Sequence, residues 1–294
     1  MARQVLSQIS PEAYEHPSDR KALASLEKMP GISTLFKKIN EYGIDRLLRL
    51  QCVGSDIRVS ANNFPDLFAA FVETCQILEV KQPELYLIRG NGHIQTFTYG
   101  VDRSIVMINL EGLEEMTPEE WIFLFGHEIA HIKSQHMLYY QSALVLPTIK
   151  HIFSSTTLGL GGLATSGVEL ALFNWLMMAK FTADRAGLLA CQSLDVAIAS
   201  LIKLAGLPSK YINEVVIAEF KQQALEFEGA SDNKLDQVAK TLSFMEHTYP
   251  WSVIRASELL KWVESGEYEA ILKRSTAIAP TEGDPPHWNF LSSW

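Results

Sequence analysis

Residues 127–131 read His-Glu-Ile-Ala-His, a spacing that becomes useful only on a helix. Two imidazoles four residues apart share one helix face, one turn above the other. The segment Thr117-Pro118-Glu119-Glu120 gives that helix its start. Thr117 caps it, Pro118 fits the first helical position, and Glu120 closes a capping box three residues on. The pattern predicts a helix from there to about Gln135, with Trp121, Phe123, Leu124 and Phe125 burying it. Two rings so placed can hold one Zn²⁺ ion with nitrogens at about 2.0–2.1 Å. Glu128, one residue further round, sits beside such an ion, where it can take a proton from bound water and pass it on. A helix that merely buries two histidines satisfies the same pattern, but the capped, apolar setting here favours the metal reading.

The rest of the chain supplies a large enough body to bury such a helix. With 294 residues, 47% of them apolar and 20% charged, it can build one large domain or two small ones. The net charge is −9 and there is no basic run, which argues against a nucleic-acid partner. Cys52, Cys75 and Cys191 are widely spaced and odd in number, as expected of inert buried thiols in a reducing compartment. The first twenty residues have no apolar run, so no secretory leader is read and a cytoplasmic location is expected.

Apolar spacing predicts helices over 19–28 and 32–50, with another opening at Asn63 and Pro65. Segments 84–89, 95–99 and 104–110 read as strands, and Asn91-Gly92 as a tight turn between them. Further helices are expected over 170–192, 196–204, 209–227, 233–247 and 252–263. The fold class is therefore α+β, predominantly helical, with a small and mainly antiparallel sheet. Residues 1–60 form a helical lead-in, 61–274 the main domain, and 275–294, with Pro280, Gly283, Pro285 and Pro286, an irregular tail. Between 137 and 179 the chain turns strongly apolar. Its first piece is too short to span a bilayer, and the second, 152–179, carries only Glu169 as a charge. That second piece reads as a buried or flexible segment, with peripheral membrane contact as the other reading.

The HEIAH segment after a small sheet, followed by Phe181-Thr182-Ala183-Asp184-Arg185-Ala186-Gly187, resembles the HtpX-like and CAAX-prenyl-endopeptidase family of gluzincin metallopeptidases, closest to its soluble bacterial branch. Weaker similarity extends to 14–17, 95–100 and 250–262. The resemblance implies a zinc-dependent endopeptidase acting on an extended polypeptide. His127 and His131 would be ligands, Glu128 the general base, and Asp184 a carboxylate orienting a ligand histidine. It also implies that Phe97, Thr98 and Tyr99 lie on an edge strand that pairs with the substrate.

Two positions depart from that family. Its third zinc ligand is a glutamate four residues before the Asp, and here that position is Lys180. A protonated lysine has three donors and no lone pair, so it cannot ligate a cation. Tyr249 stands where relatives commonly carry a histidine before the proline. Asp184 is then the best replacement ligand, with Glu169 next. On an unbroken helix His136, five residues past His131, should point away from the site, and His151 reaches the site only if its loop returns. His16, His93, His247 and His287 read as surface or structural. Either the Lys180 ammonium takes the vacated zinc position, or it swings to solvent and leaves zinc weakly held. The corresponding functions are a working metallopeptidase and a degenerate one retained as a peptide-binding or scaffolding protein.

Overall fold

The computed structural model describes residues 3–32, 34–36, 43–143, 166–229 and 252–278. The chain enters through a 3-10 turn, Pro11–Ala13, and helix α1, Pro17–Glu27. His16 caps α1, its Nδ1 accepting from the Ser18 amide at 3.2 Å, and Pro17 fills the first helical position. Helix α2, Ile44–Ser55, leads to the two-residue strand β1, Ile57–Arg58. Helix α3, Pro65–Ile77, buries Leu67, Ala70, Phe71, Thr74 and Ile77, the three-and-four spacing of an inward helical face.

Three strands follow: β2 (Glu84–Ile88), β3 (Thr96–Tyr99) and β4 (Ile105–Asn109). The sheet order is β1-β2-β4-β3. The pairs β1/β2 and β3/β4 are antiparallel, while the central pair β2/β4 is parallel, so the sheet is mixed. The sheet is thus mainly antiparallel, as expected, with β2/β4 as its one parallel step. The turn at Gly100, which has φ +97, folds β3 back on β4, and β3 is left at the edge. Thr98 stands opposite Val106 in this register.

Short helix α4, Leu110–Glu115, joins the sheet to α5, Pro118–Lys133, which carries the HEIAH segment. The α5 capping box forms as the sequence predicts: Thr117 Oγ1 accepts from the Glu120 amide, and Glu120 Oε2 accepts from the Thr117 amide at 2.7 Å. Every residue of α5 from Glu120 to His131 is buried. Beyond it come α6 (Ser166–Cys191), α7 (Leu194–Leu204), a 3-10 turn (Ser209–Tyr211), α8 (Glu214–Gly229), α9 (Ser252–Glu264) and α10 (Glu267–Ile278).

Helix α5 lies between the sheet and α6, and glycines set how closely the two helices approach. A methyl group on Gly126 would stand 2.7 Å from the Ala190 Cβ, and one on Gly187 2.8 Å from the Phe123 carbonyl oxygen. The main core joins Phe71, Phe123, Phe125, Ile129, Leu189 and Leu259 with Leu6, Ile9 and Tyr14 from the start of the chain. A second cluster packs Leu26 and Leu35 against Met137, Tyr140 and Trp175.

Three expectations need correcting. Residues 275–278 belong to α10, because the first proline of the tail comes only at Pro280. Residues 209–213 are a 3-10 turn and its exit, so that helix starts at Glu214. His136 turns back beneath His131. The expected helix over 233–247, the segment 152–165 and the tail beyond 278 lie outside the described residues, as do His151, His247, Tyr249 and His287. The three cysteines are buried and unpaired, and burial pushes each thiol up to about 12. No helix among the described residues is long and apolar enough to cross a membrane.

Candidate active site

Helix α5 presents His127, Glu128 and His131 between edge strand β3 and helix α6, and each of the three is held from behind by a different element. The rings of His127 and His131 lie 5.3 Å apart, nearly perpendicular to each other.

His127 Nδ1 stands 2.8 Å from Asp184 Oδ1, contributed by α6. Asp184 is also gripped by Arg255 from α9, with Nε on Oδ2 at 2.7 Å and Nη2 on Oδ1 at 2.6 Å. Burial pushes the Asp184 carboxyl up, but the Arg255 guanidinium and His127 outweigh it and bring it down to about 2. An ionised carboxylate only accepts, so His127 donates through Nδ1–H, and Nε2 is the ring nitrogen left outside this contact. Both Asp184 oxygens are therefore occupied within the protein. Arg255 was not among the residues singled out from the sequence. It sits 71 residues from its partner, and only the segment 250–262, noted as similar to the family, hinted at it.

Glu128 is 2% exposed and accepts two threonine hydroxyls from β3, Thr96 Oγ1 on Oε1 and Thr98 Oγ1 on Oε2, each at 2.6 Å. Strand alternation explains the pairing. Thr96 and Thr98 face α5, whereas Phe97 and Tyr99 stack on each other on the other face, at 6.2 Å between ring centroids. Thr98 thus gives its side chain to the Glu128 carboxylate as well as its backbone to the edge strand.

His131 Nδ1 meets His136 Nδ1 at 3.1 Å. The contact exists because α5 stops at Lys133 with a Schellman turn. Ser134 is the cap, Gln135 takes the left-handed φ of 57°, and the His136 amide donates to the His131 carbonyl at 2.9 Å. Burial pushes His136 down to about 4 and, with the cationic groups around it, holds His131 well below the ordinary imidazole range.

Lys180, one turn before Asp184 on α6, is partly buried among these groups. Burial and the Arg255 charge lower its ammonium to about 8, while Glu128 and Asp184 pull the other way. Glu169, the other candidate ligand, lies in the first turn of α6.

Residues 68–263 match the family described as Peptidase family M48. The chain belongs to that family. It is 27% identical over 264 residues to the plastoglobule-localized metallopeptidase 48, chloroplastic, of Arabidopsis thaliana, a match covering 89% of this chain and 75% of the relative. No solved structure gives a match.

M48 membership implies a metallopeptidase and its zinc ion. Two donors of this M48 chain fit such an ion. The Nδ1 atoms of His127 and His131 are both engaged inside the protein, which leaves their Nε2 atoms for a ligand. Among the described residues, no group of three His, Cys, Asp or Glu side chains is arranged to complete a metal site.

Proposed function

We propose that this M48 chain is a zinc-dependent metalloendopeptidase of the HtpX-like, gluzincin type that hydrolyses peptide bonds of an extended polypeptide. The observation that carries the reading is the His127–Glu128–His131 face, with Asp184 at 2.8 Å behind the first ring. His127 and His131 would hold the ion through Nε2, with Asp184 orienting His127 from behind. Bound there, zinc supplies an activated water at neutral pH. Glu128 takes a proton from the attacking water and returns it to the leaving amine nitrogen. The Thr96 and Thr98 hydroxyls keep its carboxylate pointed at β3, so the proton moves beside that strand. A substrate strand would add to the outer edge of β3 along Phe97, Thr98 and Tyr99, using backbone hydrogen bonds for affinity. We place the protein in the cytoplasm, with any membrane contact peripheral and made through 152–179.

Lys180 favours a second reading, a degenerate peptidase that binds an extended peptide without cleaving it. Its ammonium offers no lone pair and sits near both carboxylates of the site. Metal analysis and casein cleavage by the native chain, Glu128→Gln and Lys180→Glu separate the two. Under the peptidase reading, the native chain cleaves casein and holds zinc loosely enough for a mild chelator to strip it. Glu128→Gln then abolishes cleavage, and Lys180→Glu tightens zinc by more than about tenfold. A native chain that is inactive and metal-free, with both properties gained by Lys180→Glu, establishes the degenerate reading. A native chain that is inactive and metal-free overturns the peptidase reading, and one that cleaves casein with bound zinc overturns the degenerate reading.

A further inference from the structure

The two histidines of α5 are backed differently. His127 has a carboxylate directly behind it, whereas His131 has a second imidazole, and a carboxylate stands only behind that. The remote carboxylate is Asp19 of α1, which is fully buried and precedes the region matching the M48 family. Its Oδ2 lies 3.5 Å from His136 Nε2 and accepts the Thr182 hydroxyl at 2.5 Å. Thr182 in turn accepts the His16 backbone amide at 3.0 Å, so its hydroxyl proton is committed to Asp19. Trp175 packs edge-on to the His136 ring at 5.3 Å, and Tyr140 lies 5.0 Å from His131. These rings fix both imidazoles in place.

We infer that Asp19 and His136 are positioning residues for His131, forming a line Asp19–His136–His131 that fixes which nitrogen of His131 is free. A carboxylate facing a ring nitrogen repels a lone pair, so His136 carries its proton on Nε2 and accepts through Nδ1. Two ring nitrogens 3.1 Å apart need one proton between them. His131 therefore supplies it from Nδ1–H, and its Nε2 lone pair faces away from the line. His127 reaches the same state through Asp184. Both rings are thereby set in the tautomer that can bind a cation.

The arrangement is bought with local backbone strain at Gln135, a non-glycine residue at φ 57°. Without that left-handed turn, His136 would continue round the helix and lose His131. Two of the residues of the 181–187 segment divide the work: Asp184 serves the first ring directly, and Thr182 holds the carboxylate serving the second.

The metal-orienting role rests on the function proposed above, but the tautomer does not, and the test is chosen to separate them. Long-range proton–nitrogen correlation spectra of the metal-free full chain, labelled with ¹⁵N-histidine, read the protonation of each ring nitrogen. A His131→Asn variant assigns the His131 signals. The expected pattern is His131 protonated on Nδ1 and His136 on Nε2. His131 protonated on Nε2, or His136 carrying both protons, overturns the inference. Zinc affinity, measured by competition with a chromophoric chelator, gives the second readout. Asp19→Leu removes the acceptor and should weaken zinc about tenfold or more. Asp19→Asn can keep an oxygen toward His136 and Thr182 and should stay within about twofold of the native value. Equal affinities for native, Leu and Asn chains overturn the positioning role. A native chain that takes up no zinc refutes the proposed function, while the nitrogen pattern still decides the line.

Discussion

Arg255 is the residue on which the polar centre balances. It is buried and donates to both oxygens of a carboxylate that is itself 1% exposed. A pair this deep contributes little net stability, yet removing one partner strands the other charge. Arg255→Met should therefore destabilise the fold by about 3–5 kcal/mol. Adding Asp184→Asn should recover a large part of that loss, because the orphaned charge is then gone. Urea unfolding of the two single variants and the double variant measures both quantities, and strict additivity would contradict the pairing. Arg255 also marks where reading the sequence stops. HEIAH declares itself through a fixed short spacing, whereas a guanidinium found by tertiary packing leaves no periodic trace. His136 departs from its expected direction for a related reason. Its predicted direction assumed a continuous helix, and a left-handed glutamine is not a residue from which a helix stop is expected.

At the level of elements, local chemistry was legible and close approach was not. The capping box, the proline starts of α3 and α5, and strands β2, β3 and β4 follow from residues within a few positions of one another. Strand β1 has two residues, too few for any alternation to register, and it exists because it pairs with β2. The α5/α6 crossing depends on Gly126 and Gly187, which in sequence look like ordinary helix-weakening glycines. A methyl group at 187 would gain up to about 1 kcal/mol of helix propensity and lose about 1–3 kcal/mol to overpacking against the Phe123 carbonyl. Gly187→Ala should therefore lower stability by about 1–2 kcal/mol and Tm by about 2–3 °C in a calorimetric scan. An unchanged or raised Tm would mean that the helices can separate at no cost.

Across the whole molecule, the opening residues are tied into the body. Arg3 pairs with Glu73 at 3.0 Å, Gln4 bonds to Gln192 and to the Leu272 carbonyl, and His16 meets Glu258 at 3.0 Å. Burial raises the Glu258 carboxyl, but His16 and Lys261 overcome it and hold it at about 2. Asp184 is held equally low. Both folded values lie below the ordinary carboxylate range of about 4. Their stabilising contributions are therefore complete above that range and disappear as pH falls from about 5 towards 2. Urea midpoints should drop steeply over that interval, and Glu258→Gln should flatten part of the descent; a variant curve parallel to the native one would exclude Glu258 as a contributor. The span between Arg255 and its partners also governs how the protein is made. A ribosome releases residues 127 and 184 long before residue 255, which follows His127 by 128 positions. Chains fold from the N-terminus as they emerge, so α5 and α6 can meet while Asp184 still lacks its cation. The centre then lacks its guanidinium until residue 255 has also emerged, and a product terminated before that residue carries the motif without the finished centre.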